Sequence, residues 1–332
     1  MSDVVHLTDR LKPGGVTSVI GDLAEAQRSS GKHSVTVIEL SAVARGSSGR
    51  RTAWSGSSPV VAKLLRADVV HCHHRTAALM AGLLRPRAVV EQIHNVYDDK
   101  HLLSFRARRL VAVSQMLRTT IEESYPHTRG RIRVIANGVP GHARPRFECD
   151  RLRGPARVIG VGRLAHQKNP LVFIDIIRGI ETRHPGAVRG HWIGDGPLAD
   201  QFDNAVRDAG LTQIVTREAW RDRAATISEI AQSDVLLLPS RWEGMPIVVL
   251  EALSVGTPVL STPTSELASA VAAAGCGGLF TGVDSGVTAL AGRLALDSVS
   301  RARERRAAHE YWARWHDVTA LVDQWEAVYQ DA

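Results

Sequence analysis

Cysteine is scarce in this 332-residue chain: Cys72, Cys149 and Cys276 are odd in number and far apart. That count excludes a disulfide framework and a cysteine-built zinc site, so three reduced, partly buried small residues are expected. Long apolar runs are absent too. No stretch approaches the roughly 20 apolar residues of a membrane span, and Met1-Ser2-Asp3 leads straight into a strand without the basic-then-apolar pattern of a signal peptide. A cytoplasmic protein is expected. Lysine is nearly missing: Arg outnumbers Lys 36 to 5, also in places with no evident ligand. Part of the net charge of +7 therefore reflects residue usage rather than a binding surface.

What is present is ordinary for a globular enzyme, with 44% hydrophobic and 23% charged residues. The length allows two core-forming domains of about 150 residues each. Charge is uneven: residues 1–150 hold 22 Lys/Arg against 13 Asp/Glu, or +9, and residues 151–332 hold 19 against 21, or −2. The basic half fits an acidic acceptor, an anionic membrane surface or nucleic acid.

The most informative stretch runs from Asp234 to Thr262. Asp234 to Leu238 is a continuous apolar run closed by Pro239, as expected of a strand buried on both faces of a parallel sheet. The loop Ser240-Arg241-Trp242-Glu243-Gly244-Met245 then lies at a strand's carboxyl end, where α/β sheets bind ligands. Pro246 suits the first turn of a helix, and Gly256 closes that helix. Residues 247–255 are apolar almost all round, with Glu251 the only charge. A buried carboxylate needs hydrogen-bond donors, from a ligand's hydroxyls or from a nearby Arg. Glu243 precedes the helix N-terminus at Ile247, whose free N–H groups favour a phosphate. The run resembles the E-x7-E signature of retaining glycosyltransferases of the GT-B fold, family 4 in particular, down to the P-S-x-x-E-G-x-P opening.

Upstream, Arg157 to Val161 is a strand followed by Gly162-Arg163-Leu164. This matches G-x-G-x-x-A, with Glu181 nineteen residues beyond Gly162, so a nicotinamide-dinucleotide site competes. Against it, the helix is expected to start only at the N-cap Asn169 and Pro170, and the loop carries two cations, Arg163 and Lys168. These cations would neutralise a departing nucleotide diphosphate, the work a metal does in other glycosyltransferases. No Asp-x-Asp occurs to hold a metal. G-R-L-x-x-x-K-N-P closely resembles the family's phosphate-binding loop. His191 to Pro197 is similar to its G-x-G-P segment, and Trp220-Arg221-Asp222 matches a family pattern, with Ala219 where Gly is usual. A strand is expected at Thr212–Thr216.

In the first half, Val4 to Leu7 reads as a strand, followed by Gly14-Gly15 and an amphipathic helix from Val16 to about Arg28. A glycine pair there lets backbone N–H groups approach an anion, and it resembles the loop opening the family's acceptor-side domain. Further strands are expected at residues 34–39, 67–71, 88–93, 109–113 and 131–135, and a loop at 44–59. The alternation argues for a doubly wound parallel sheet. His94 ends the strand Val89 to Ile93, and Gln92-Ile93-His94-Asn95 resembles the family's active-site His, with Asn95 where Asp is commoner. His71, His73 and His74 form no helical metal-ligand spacing. Pro140 to Pro155 carries several breakers and no apolar period, which places the domain boundary there. Trp312, Trp315, Val318, Val322, Trp325 and Tyr329 form one apolar helix stripe.

The resemblance implies an α/β GT-B fold: two Rossmann-like doubly wound domains, 1–145 on the acceptor side and 156–305 for the nucleotide sugar, facing a cleft. Residues 306–332 would form a helix returning to the first domain. It implies transfer of a hexosyl or N-acetylhexosaminyl group, with retention, from a UDP- or GDP-sugar to a polysaccharide, glycolipid or small-molecule hydroxyl. His94, Arg163, Lys168 and Glu243 would act at the reacting centre. Gly14, Gly15, Arg163, Lys168, Glu243, Gly244, Met245, Ile247 and Glu251 would hold the donor, Glu251 at the ribose. No metal, cofactor or nucleic acid is expected, and the basic half allows peripheral contact at an anionic inner membrane face. The rival readings are an NAD-dependent oxidoreductase, a sugar-nucleotide epimerase on the same fold, and a non-catalytic basic binding protein.

Overall fold

The computed structural model describes residues 1–9, 11, 14–41, 59–95, 103–142 and 154–332. The chain divides into two compact units, Met1–Pro140 with His316–Ala332, and Gly141–Trp315. Among the described residues each unit holds one six-stranded sheet, parallel throughout.

The first unit runs β1 (Ser2–Thr8), α1 (Gly15–Ser29), β2 (His33–Glu39), α2 (Pro59–Arg66), β3 (Val69–Cys72), α3 (Arg75–Leu84), β4 (Val89–Ile93), β5 (Arg109–Ala112), α4 (Gln115–Ser124) and β6 (Ile132–Val134). All six strands lie within two residues of their expected ends. Their order is β2-β1-β3-β4-β5-β6, so the winding reverses between β1 and β3. Val4, Val5 and Leu7 are fully buried because helices cover both faces. The loop expected at 44–59 lies outside the described residues, except Pro59, which opens α2.

The second unit runs β7 (Ala156–Val161), α5 (Pro170–Arg183), β8 (Val188–Ile193), α6 (Ala199–Asp208), β9 (Val215–Glu218), α7 (Arg223–Ala231), β10 (Val235–Leu238), α8 (Ile247–Ser254), β11 (Val259–Ser261), α9 (Glu266–Ala273), β12 (Gly277–Leu279), α10 (Val283–Leu294) and α11 (Ser298–Trp315). The order β12-β11-β10-β7-β8-β9 puts the reversal between β7 and β10. Its core gathers Phe173, Trp192 and Phe202 with the aliphatic side chains of α5 and the strands. Three sequence expectations shift. β9 starts at Val215, since Thr212 and Gln213 sit in a turn closed by Ile214 N–H on Leu211 O. Pro246 is the N-cap of α8 rather than its first helical residue, because its ψ of 111° is extended. Asn169 precedes α5 as expected but in a left-handed conformation (φ 49°), and its side chain makes no cap bond. It accepts instead from Arg241 Nη2 at 3.3 Å.

The C-terminal stripe does not lie on one helix. Trp312 and Trp315 end α11 in the second unit, whereas Val318, Val322, Trp325 and Tyr329 belong to α12 (Val318–Gln330), which packs on Val4, Leu23, Val90 and Val111 of the first. The break has a local cause: Asp317 caps α12 by accepting from Thr319 N–H at 2.9 Å, and His316 Nδ1 bonds Asn137 O at 2.9 Å. Such an Asp gives the backbone a partner outside the helix. Trp315 is consequently exposed.

Candidate active site

The second-unit site sits at the switch point of its sheet. The loop after β7 carries Arg163 and Lys168; the loop after neighbouring β10 carries Glu243. Ligands bind α/β sheets at this place because the two flanking crossovers depart to opposite faces and leave a crevice. The loops are stitched together. Arg241 N–H donates to Gln167 O at 2.8 Å and Gln167 Nε2 to Trp242 O at 3.1 Å. Lys168 Nζ meets Glu243 Oε1 at 2.5 Å, with the two side chains 17% and 6% exposed. A cation and an acid this far from water form a preorganised pair whose own desolvation is already met by folding.

Glycine makes the loop possible. Gly162 has φ +155°, and the Lys168 stem lies where a Cβ would sit, 3.2 Å from Cδ. Trp192, fully buried, donates through Nε1 to Gly162 O at 3.0 Å. α5 starts at Pro170, well past the glycines, so its N-terminus cannot serve a glycine-cradled pyrophosphate as in a dinucleotide fold. Arg163 shares the loop, is exposed, and makes no side-chain hydrogen bond or ion pair among the described residues.

Gly244 and Met245 lead into α8, whose first turn at Ile247 has no side-chain cap. Glu251 is buried on α8, and Arg223 at the start of α7 donates to it, Nε to Oε1 at 2.6 Å. Of the two donor sources open for this carboxylate, the structure shows an Arg. Arg223 carried no sequence signal, since the two residues lie in separate crossovers.

In the first unit, Gly14 and Gly15 start α1 after β1; Gly14 has φ +153°, and no side chain caps the helix. His94 follows β4 and is buried. Its Nε2 lies 3.3 Å from His73 Nδ1, and His73 Nε2 lies 2.8 Å from His6 Nδ1. His6, His71 and His73 each bring a ligand atom within 4.8 Å of the others. No local spacing groups them, because the parallel register of β1 and β3 is what sets His6 beside His71. The 2.8 Å between His6 and His73 is shorter than the roughly 3.3 Å between two nitrogens on a tetrahedral zinc, and the His71 and His73 rings stack at 4.4 Å, 22° apart.

Burial is the main force on these rings. It holds His6 down to about 4 and His94 to about 3, and lowers His71 and His73 well below the usual value. In the unfolded chain they titrate near 6.5. Unfolding therefore takes up protons below that pH, so these rings leave stability unaffected above about pH 6.5 and lower it progressively as pH falls towards 4. Each histidine should cost about 1.4 kcal/mol per pH unit in that window. Urea unfolding at several pH values between 4.5 and 7.5 checks this; a flat profile would contradict it. Glu91, raised by burial to about 8, works the other way from about pH 4.5 upward, and Glu91→Gln isolates its share.

Two family models match the chain: residues 155–295 fit Glycosyl transferases group 1, and residues 13–140 fit Glycosyltransferase Family 4. The chain belongs to the group 1 glycosyltransferases. Among curated relatives, glycogen synthase of Mycobacterium tuberculosis is 28% identical over 77% of the chain and 62% of its own length. The chain thus spans less than two thirds of that relative. D-inositol 3-phosphate glycosyltransferase of Corynebacterium urealyticum is 27% identical over 76% of the chain and 68% of its own length. Among solved structures, Anabaena HepE in complex with UDP and glucose superposes with a TM-score of 0.77 at 18% identity, covering all of both chains. The fold is GT-B.

For a glycosyltransferase-family chain, the sequence motifs located the two loops and missed their supports. Ser240, whose buried Oγ has no partner among the described residues, and Thr262, which donates to Ser240 O at 2.5 Å, sit beside the Glu243 loop. Asp222 caps α7 through Ala225 N–H and so fixes Arg223. A cavity of about 620 Å3 opens elsewhere, between α3 and residues 103–108. No helix among the described residues is long and apolar enough to cross a membrane.

Proposed function

We propose that this protein transfers a hexosyl or N-acetylhexosaminyl group, with retention, from a nucleoside-diphosphate sugar to the hydroxyl of a glycan, glycolipid or small-molecule acceptor. The observation that carries the reading is the Lys168–Glu243 pair at the switch point between β7 and β10. Lys168 and the unpaired Arg163 stabilise charge on the departing diphosphate, assisted by the uncapped start of α8. Glu243 takes the sugar hydroxyls and Glu251 the ribose, with Arg223 holding the Glu251 carboxylate in place. His94 serves the reacting centre from the first unit. The described side chains offer no obvious covalent nucleophile, which agrees with departure and attack on one face of the sugar. Fixed cations make a divalent metal unnecessary. A UDP-sugar is favoured among donors, since the HepE structures hold UDP and UDP-glucose. The +9 charge of residues 1–150 draws the protein to an acidic acceptor or an anionic inner membrane face.

Hydrolysis of a panel of UDP-, GDP- and ADP-sugars, with the released sugar's first-formed anomer followed by NMR, tests this directly. Turnover of none, or an inverted anomer, would overturn it. Glu251→Gln should raise the donor KM about 10- to 100-fold, the loss of a charge-assisted hydrogen bond of about 1.5–3 kcal/mol, with little change in kcat. An unchanged KM would remove Glu251 from the ribose.

A further inference from the structure

A line of hydrogen-bonding side chains crosses the core of the first unit and ends on His94. From His94 Nε2 it passes to His73 Nδ1 (3.3 Å), and from His73 Nε2 to His6 Nδ1 (2.8 Å). From His6 Nε2 it goes to Gln27 Oε1 (2.7 Å), from Gln27 Nε2 to the Tyr329 hydroxyl (2.8 Å), and from that hydroxyl to His71 Nδ1 (2.8 Å). The members come from β1, α1, β3 and the segment after it, the end of β4 and α12. All are buried.

We propose that this line fixes His94 in the tautomer protonated on Nε2 and bare on Nδ1, with His73, His6, Gln27 and Tyr329 as its positioning residues. The inference rests on the reading of His94 as the first unit's residue at the reacting centre.

The argument is one of proton counting. A neutral imidazole has one N–H and one lone pair. Gln27 Oε1 only accepts, so His6 Nε2 carries its proton and His6 Nδ1 is bare. His73 Nε2 must then donate, which leaves His73 Nδ1 bare, and His94 Nε2 must donate in turn. At the other end Gln27 donates to Tyr329, and the hydroxyl gives its one proton to His71 Nδ1, so the His71 proton sits on Nε2.

Turning the Gln27 amide around would reverse every link, and His71 shows why that does not happen. Its partner across the sheet is Val90 on β4, and Gln92, two residues further on, lies on the same face of that strand. Gln92 Nε2 donates to Asn137 Oδ1 at 3.3 Å, so Gln92 offers His71 its Oε1. His71 Nε2 and Gln92 Oε1 are both buried, and neither has a hydrogen-bond partner among the described residues. In the reversed line His71 Nε2 and its neighbour Gln92 Oε1 would be two buried lone pairs with no donor, which costs the desolvation of both. In the forward line Nε2 carries the proton, and the nearby Gln92 oxygen favours that state.

The consequence is chemical. His94 accepts a hydrogen bond from a sugar or acceptor hydroxyl through Nδ1, and it is not an acid for the leaving phosphate, because burial keeps it neutral.

The test is the two-bond 1H–15N correlation spectrum of the full-length protein, which separates histidine tautomers. His94, His73 and His6 should all show the Nε2–H pattern. Gln27→Leu, which removes the fixed acceptor, should leave His94 a mixture and lower kcat about tenfold with donor KM unchanged. Tyr329→Phe removes only one hydroxyl and serves if Gln27→Leu disturbs the fold. A wild-type His94 protonated on Nδ1, or a His94 signal unmoved in both variants, would overturn the proposal. So would one equivalent of zinc retained on dialysis, which would mean that the cluster binds metal. If His94→Ala turns over at the wild-type rate while the tautomers come out as stated, the role given to His94 fails and the line stands.

Discussion

Lys168→Met is expected to lower kcat/KM for donor turnover about 100- to 1000-fold, equivalent to roughly 2.7–4 kcal/mol of lost transition-state stabilisation. Methionine keeps the apolar stem that packs on Gly162 and removes only the charge that would face the diphosphate. Glu243→Gln should lower it similarly, because the lost carboxylate both orients Lys168 and would accept from the sugar. Each single change strands a partner that is largely shielded from water, since the Glu243 side chain is 6% exposed. Up to about 3 kcal/mol of stability should be lost with it. The double variant Lys168→Met/Glu243→Gln separates the two effects: it should recover the melting temperature and remain inactive. Wild-type-like turnover in either single variant, with the fold confirmed by circular dichroism, would refute the site.

Gly194→Ala should unfold or disable the second unit. An added Cβ would meet Gly162 O at 2.1 Å, and the residue's φ is +144°. The obstacle is backbone that itself accepts from Trp192 Nε1, so it has no side chain to swing aside. The expected cost is about 3 kcal/mol or more, from overpacking and a disfavoured φ together. That corresponds to a melting point lower by about 6–12 °C. Because Gly162 begins the loop carrying Lys168, activity should fall even where protein stays folded. Gly210→Ala is the control. It has φ +69° with nothing within 4 Å and should lose only about 1 kcal/mol. Equal losses in the two variants would show that the close approach contributes nothing.

Much of the second unit was legible beforehand because its signals are local. An apolar run, a proline and a glycine bounded β10 and α8, and Lys168 and Glu243 were named from the loops that carry them. The first unit was legible as strands but not as a site. His94 stood out at the end of β4, whereas Gln27 on α1 and Tyr329 on α12 gave no hint of belonging with it. The C-terminal stripe misled for a related reason: side-chain periodicity continues in phase across His316 and Asp317, while the backbone does not.

What the chain order alone determined is which segments become strands, which end of each strand carries a loop, and where polar residues interrupt apolar runs. These follow from period, turn chemistry and burial within a few residues of each position. Only the tertiary structure decided that Glu251 is met by Arg223, that Lys168 reaches Glu243, and that four histidines from three strand ends line up inside one core. Those pairings depend on which strands become neighbours and in what register, a choice made by the packing of whole layers, and no nearby residue records it.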